Sequence, residues 1–480
     1  MLGGTAALRV ATEAEHMTSE AARTMTEAQG LSKFPRMVLL TLLTLSYTVS
    51  FMDRTALGVL QERLKYDLGL ADWQLGMMSG PAFAILYAFS GLPIARLAER
   101  FHRGRILAVC LVIWSGMTMA CGLARSFGGL FLARMGVGIG EAGGNPVAHS
   151  LIADAFPLER RARAISVYSV GAPLGAFFGA ALVGQLAQWF EWRTIFVLLG
   201  PPGLVLAVLV LWLLPDVTRS GGGQVGESPR FAAVVRDLVA KPEFRHLASG
   251  AALVVLVGYG VASFLAPFLQ RQHHLPVAQA GLITGLINGL AAGLGTLLGG
   301  QLSDRLAPRS KAWLAWLPAA AAMAGAPLLM SGSFSTSTNV AVAGMMVGTL
   351  CVYTYLAPAF AAVYDLAPAG KRATATAVFY LVINLVGTGL GPPLIGALSD
   401  GFAHRAFTRG VHDGVGFDIA CGLAKQADQH PACAAAMATG LGQSLFWVSG
   451  LLYWAAFHFI LAGRHLKRNG LGPGKGASSF

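Results

Sequence analysis

Residues 154–162 read DAFPLERRA, and residues 365–373, 211 positions later, read DLAPAGKRA. Both fit D-x-x-P-x-x-[KR]-R-A, with Asp154, Pro157, Arg160, Arg161 and Ala162 answered by Asp365, Pro368, Lys371, Arg372 and Ala373. Chance could hardly place both, so the chain carries an internal repeat. A second pair agrees: LAER at 97–100 and LSDR at 302–305 are offset by 205. Working outward from these motifs, apolar stretches of roughly 20 residues recur twelve times between 37 and 463. Six precede and six follow the polar segment Pro215–Arg245. The expectation is an all-α polytopic membrane protein with twelve transmembrane helices in two pseudosymmetric six-helix bundles. A binding cavity should lie between them near the midplane.

Composition agrees. With 55% hydrophobic and only 12% charged residues, a soluble domain would aggregate, and 60 glycines suit small-residue helix packing in lipid. Lys and Arg set the orientation. With a cytoplasmic N-terminus, 25 of the 35 basic residues fall in the tails and the loops of the same side, 8 in the opposite loops, and Arg54 and Arg134 within spans. Both termini are therefore expected in the cytoplasm, in a bacterial inner membrane. The net charge of +12 then reads as a topology signal with affinity for anionic lipid headgroups, and nucleic-acid binding is excluded.

The boundaries that follow are a disordered cytoplasmic tail at 1–34, with Met17 an alternative start, and a first bundle at 35–214. A linker at 215–245 carries Gly221 to Gly223 and an amphipathic stretch from Phe231 to Leu238. A second bundle occupies 246–464, with an outer loop at 400–440, and a tail occupies 465–480.

Four ionisable residues stand out inside apolar stretches: Asp53 and Arg54 in the first, Arg134 and Glu141 in the fourth. Such a residue costs about 2.5–3.5 kcal/mol on insertion scales, so it usually lines a substrate or proton path. Arg134 and Glu141 are seven residues apart, two helical turns, and project from nearly one face. Asp53 lies near the level of Arg134, so two acids and two bases can share one pocket. The second half shows no comparable buried charge. It offers Tyr259, Asn288, Tyr353, Tyr355, Tyr380 and Asn384 within spans, with Phe264 and Phe379. A cavity charged on one wall and aromatic on the other suits an amphiphile.

With these residues in view the chain resembles the major facilitator superfamily over nearly its whole length. The resemblance rests on Glu99-Arg100 and Asp304-Arg305 in the loops, buried Arg134, and Gly171, Pro173 and Gly175 of the fifth span. More narrowly, Met52-Asp53-Arg54 with Arg134, Gly138, Gly140, Glu141 and Ala142 looks like the spinster branch, whose animal members move lysophospholipids and sphingosine-1-phosphate. The chain departs from the usual loop in having Glu99 for Asp and His102-Arg103 before Gly104. The resemblance implies a monomer, and a gate in which Glu99, Arg100, Arg103, Asp304 and Arg305 pair with helix ends or acids of the opposite half. Ordinary positive-inside charge is the alternative.

Opposing effects suggest how the cluster works: burial favours neutral Asp53 and Glu141, while Arg54 and Arg134 favour the ionised forms. Asp53, Glu141 and Arg134 would then couple protons, and Arg54, beside Glu141, would hold an anionic headgroup through its planar guanidinium. The competing view is a network that only fixes helix register. The function expected is proton-coupled transport of lipid-like amphiphiles, with a carrier of small organic anions or drugs next. A membrane enzyme or sensor lacks a catalytic dyad or an added domain.

Other signals carry less. Gly136, Gly138 and Gly140 follow no strand, so they are no dinucleotide site; Gly136, Gly140 and Gly144 share one helix face suited to close packing. His273-His274 lacks further metal ligands, Pro146 with His149 marks a kink, and no GxxxxGK[ST] loop binds ATP. No cofactor or metal is expected; the partners are membrane lipid, substrate and protons. Cys110, Cys121 and Cys351 read as apolar fillers, while Cys421 and Cys433 share the outer loop and are placed to form a disulfide.

Overall fold

A computed structural model describes residues 33–214, 231–368, 371–409, 417, 421 and 431–470. Of the tails expected at 1–34 and 465–480, residues 1–32 and 471–480 lie outside them, as do the Gly221–Gly223 segment and most of the 410–430 loop, while 33–34 and 465–470 are helical.

Apolar runs become helices here because lipid leaves backbone polar groups no other partner. The first half comprises α1 (Lys33–Leu68), α2 (Asp72–Ser79, resumed at Pro81–Arg100), α3 (Arg103–Leu123), α4 (Phe127–Ala142, then Gly144–Ala155), α5 (Leu158–Ser169, then Gly171–Leu186) and α6 (Trp192–Leu213). The short α7 (Phe231–Val239) follows. The second half comprises α8 (Pro242–His273), α9 (Val277–Gly285 to Ala292–Leu306), α10 (Trp313–Phe334), α11 (Thr338–Tyr353, then Leu356–Leu366), α12 (Arg372–Val382 to Gly389–Arg409) and α13 (Pro431–Gly470). The break in α4 at Gly143 recurs in α11 at Thr354, 211 residues on, the offset of the repeated motif. Wide turns at Leu286–Ala291 in α9 and Ile383–Thr388 in α12 are π-helical, a form that clusters at functional sites.

Ten of these helices are long and apolar enough to cross a membrane. Apart from the short α7, the two not among them, α1 and α4, carry Asp53, Arg54, Arg134 and Glu141. Charge in these two was retained at the expense of hydropathy, as expected of a site rather than a lipid-facing wall.

Glycine lets the helices approach. A Cβ on Gly175 of α5 would stand 2.2 Å from the Thr48 carbonyl oxygen of α1, and one on Gly140 of α4 would stand 2.5 Å from the Trp114 nitrogen of α3. Gly136 also packs on α3, against Met117, but Gly144 meets nothing within 4 Å, so the expected glycine face stops one turn short. The break at Gly143 turns the chain there.

The buried ion pairs that join the two halves gather at the end bearing the α1–α2 and α8–α9 turns. At the other end α7 docks on the second half through Lys371 Nζ and Asp237 Oδ2, 3.0 Å apart, and the Lys241 ammonium donates to the Leu366 carbonyl at 2.7 Å. The Cys421–Cys433 disulfide is formed, and it packs with Phe407 and Met437 against Tyr66 of α1, which caps the closed end.

Candidate functional site

Asp53 and Arg54 are consecutive on α1 and so point to different neighbours, which divides the four central charges into two pairs. The Arg134 guanidinium donates to Asp53 Oδ2 at 2.9 Å, both side chains almost fully buried. Arg54 donates through Nε at 2.7 Å and Nη2 at 2.6 Å to one oxygen of Glu141, Oε2, which also accepts the Ser50 hydroxyl at 2.7 Å. The other oxygens, Asp53 Oδ1 and Glu141 Oε1, have no hydrogen-bond partner. Each buried carboxylate thus has one satisfied oxygen and one open to a proton, and an unpaired buried acceptor costs about 1–3 kcal/mol.

Arg54 is also held by aromatic faces. Its guanidinium lies 4.3 Å from the Phe83 ring centre, 4.7 Å from Phe51 and 5.4 Å from Tyr87. Each such contact is worth about 0.5–2 kcal/mol and adds to the hold of Glu141 on the cation.

Arg54 and Arg134 line a cleft between the halves, faced from the second half by Tyr259, Ser263, Asn288 and Tyr353. Tyr380 is not on the cleft wall but lies within electrostatic reach of Arg54, Tyr87 and Tyr259. Asn384 donates to the Tyr380 carbonyl at 2.8 Å inside the π-helical turn of α12. Phe264 and Tyr355 do not belong to the wall either. Tyr259, Ala262 and Ser263 share a face of α8 at helical spacing, whereas Phe264 turns into the core and is fully buried. Tyr355, two residues beyond Tyr353, points away into the same core. Glu141 stands behind Arg54, on the wall of a separate chamber inside the first half.

The expected gate residues do not cross between halves here. Arg103 pairs with Asp154 of its own half and donates to the Ser150 carbonyl. Arg100, Asp304 and Arg305 are exposed, and no ion pair joins them to the opposite half among the described residues. The halves are apart at that end, which removes the partners. The Glu99 side chain lies outside the described part of the structure.

Sequence reading missed a second buried network, at the closed end. Arg271 of α8 donates to Glu62 Oε1 of α1 at 2.6 Å and to both oxygens of Asp72 of α2, at 2.6 and 2.8 Å. Lys65 meets Asp72 Oδ1 at 2.5 Å, Ser399 of α12 donates to Asp72 Oδ2 at 2.7 Å, and Asp400 accepts the backbone N–H groups of Asp72 and Trp73. The second half therefore does hold a buried charge, Arg271. Two of the eight basic residues assigned to outer loops, Lys65 and Arg271, are buried within helices instead. The missed signal was helical spacing: Leu57, Leu60 and Leu64 continue the buried stripe of α1 beyond the last apolar window.

Two repeated six-helix halves, bonded at one end around buried charges and enclosing a cleft at mid-depth, define a membrane transporter. The chain belongs to the Major Facilitator Superfamily, whose sequence profile matches residues 43–392. It is 34% identical over 358 residues to an MFS-type efflux pump of Mycolicibacterium smegmatis, covering 75% of this chain and 83% of that protein. Two crystal structures of a bacterial homologue of the human lysosomal transporter Spinster align closely. The inward-facing, unoccupied form gives a TM-score of 0.82 at 34% identity, over 92% of this chain and all of that one. The inward-facing, occupied form gives 0.80 at 33%, over the same shares. The spinster-like resemblance read from Met52-Asp53-Arg54 and the Arg134–Ala142 stretch is thus borne out. The family is one of transporters and not of enzymes.

Proposed function

We propose that the protein is a proton-coupled carrier of lipid-like amphiphiles, of the lysophospholipid or sphingolipid class, working by alternating access from the inner membrane with both termini in the cytoplasm. One observation carries this reading: Arg54 lies on the cleft wall with Glu141 on one side and aromatic rings on the other. While Glu141 is ionised, the guanidinium is neutralised. Once Glu141 takes a proton, Arg54 becomes a fixed cation, and an anionic headgroup can replace the carboxylate in the same planar geometry. Asp53 and Arg134, one residue and two turns away, would transmit the change to α4. Tyr259 and Tyr353 line the cleft with rings that suit an alkyl chain below a polar head. The likeness to the inward-facing homologue supports assigning the closed end to the outside. A carrier for drugs or small organic anions is the second reading, favoured by the efflux pump of Mycolicibacterium smegmatis.

Reconstitution into liposomes with an imposed pH gradient separates the two. Gradient-dependent movement of lysophospholipid, competed by other lysolipids and not by small carboxylates, is the expected result. Transport of small anions or drugs with no lysolipid competition would overturn the lipid assignment.

A further inference from the structure

We propose that the chamber inside the first half is a water-filled proton port, through which protons reach and leave Glu141 without entering the substrate cleft. The inference rests on the reading of Glu141 as the coupling acid.

The chamber lies between α1, α3, α4 and α5, walled by Ser46, Tyr47, Cys110, Trp114, Asn145 and Tyr168. Its volume is about 30 Å³. A water needs roughly 10–15 Å³ on that measure, so it holds about two and excludes an acyl chain. Two unpartnered groups on its wall are complementary. Glu141 Oε1 is an acceptor and Trp114 Nε1–H is a donor, both on residues more than nine-tenths buried. An internal water needs two to four polar partners, and these supply a hydrogen-bond acceptor and a donor. From the chamber wall a polar relay crosses to α2: the Tyr168 hydroxyl donates to Asn145 Oδ1 at 2.6 Å, and Asn145 Nδ2 donates to the Tyr87 hydroxyl at 3.0 Å.

The division of labour between the two carboxyl oxygens follows. Oε2 is taken by Arg54 and Ser50, whereas Oε1 is the one left for a proton. A proton arriving from chamber water adds to Oε1, the carboxylate becomes a neutral acid, and the Arg54 cation is released on its cleft side. The reverse transfer returns the proton to chamber water. Arg54 lines both spaces, so proton and substrate act on one ion pair from opposite faces. The other titratable groups facing the acid are Tyr47 and Tyr168, Cys110 of α3, and the neighbouring Asp53–Arg134 pair. Phenols, thiols and guanidinium groups ordinarily keep their protons near neutral pH, and Asp53 is not on the chamber wall.

Gly144 tests this because it lines the chamber and a Cβ there meets nothing within 4 Å. Gly144→Leu fills the space, and Gly144→Ala fills part of it. Purified protein carrying a fluorophore pair across the open end is stepped from pH 8 to pH 5, and the conformational response is timed. Gly144→Leu should reach the wild-type end state at least tenfold more slowly, with Gly144→Ala between them and lysophosphatidic acid binding unchanged. A wild-type response that Glu141→Gln abolishes and Gly144→Leu leaves at full speed overturns the port. Absence of any wild-type response, or a normal one in Glu141→Gln, overturns instead the reading of Glu141. Hydroxyl-radical footprinting of the wild-type protein is independent of the variants: Trp114, Cys110 and Tyr168 should be oxidised well above the buried Cys121 and Phe196, and equal, background-level labelling sinks the proposal.

Discussion

Arg271 of α8 and Asp72 of α2 meet fork to fork across the two halves, Nη1 to Oδ2 at 2.6 Å and Nη2 to Oδ1 at 2.8 Å. The pair is buried, and Lys65, Glu62 and Ser399 share it, so the closed end is held by directional bonds in a dry contact. Removing one partner of a buried pair costs about 3–5 kcal/mol, because the other charge stays behind unpaired. Arg271→Met leaves Glu62, Asp72 and Asp400 facing Lys65 alone. That variant should shift the population toward opening at this end. Spin labels at positions 69 and 274 would report it as a longer distance, and an unchanged distribution would show that apolar contacts alone hold the end shut.

Arg54 should not be replaceable by lysine. Arg54→Lys keeps the charge but loses the flat contact with Phe51 and Phe83 and the two parallel donors to one carboxylate oxygen. Affinity for an anionic lysolipid should fall about tenfold, the equivalent of roughly 1.4 kcal/mol, with thermal stability little changed. Competition binding of lysophosphatidic acid against a neutral monoacylglycerol measures it; equal loss for both ligands would argue against headgroup recognition.

The two acids should fail differently when neutralised. Glu141→Gln retains an oxygen for Ser50 and Arg54, and Arg54 is partly solvated and stacked on rings, so folding should survive while gradient-driven transport falls at least tenfold. Asp53→Asn leaves Arg134, 2% exposed, without a counter-charge, and should lower the melting temperature as well as activity. Melting curves and transport assays on both variants decide. Full activity in both single mutants would mean that the pairs only fix helix register.

How much of this was legible beforehand depended on which residues break local rules. Charges in mid-span and a nine-residue motif repeated at 211 are anomalies within a single window, so the two halves, the central pairs and the Cys421–Cys433 disulfide could be read directly. The network at the closed end could not, because Glu62, Lys65, Asp72 and Arg271 stand just past the ends of apolar runs, where charged residues usually meet water. Their burial comes from packing one half on the other. The sides of the cleft were half legible for a similar reason. Residue type named both Tyr353 and Tyr355, but only the helical angle of each decides which one faces the other half.

Close packing of α5 on α1 predicts a stability effect with no functional residue involved. A methyl at Gly175 would need space now filled by the Thr48 carbonyl and the Phe51 side chain. Gly175→Ala should cost about 1–3 kcal/mol through forced helix separation, visible as a lower melting temperature in detergent. Gly450→Ala, where nothing lies within 4 Å of the added carbon, should be neutral.

The repeated motif makes Asp154 and Asp365 look equivalent, and the structure gives them unequal weight. Each pairs with a basic residue at the start of the preceding helix, Arg103 of α3 for Asp154 and Lys311, just before α10, for Asp365. Arg103 is largely buried and also donates to the Ser150 carbonyl, tying the start of α3 to the end of α4. Lys311 and Asp365 remain well exposed on a single bond, where ion pairs contribute roughly 0–1 kcal/mol and salt screens them. Asp154→Asn should therefore slow transport and lower the melting temperature, and the loss should persist in high salt. Asp365→Asn should do little beyond what salt already does to the wild type. Equal effects in transport and melting measurements would mean that the pairs act in the opposite conformation, where the halves meet at this end and the sequence symmetry is restored.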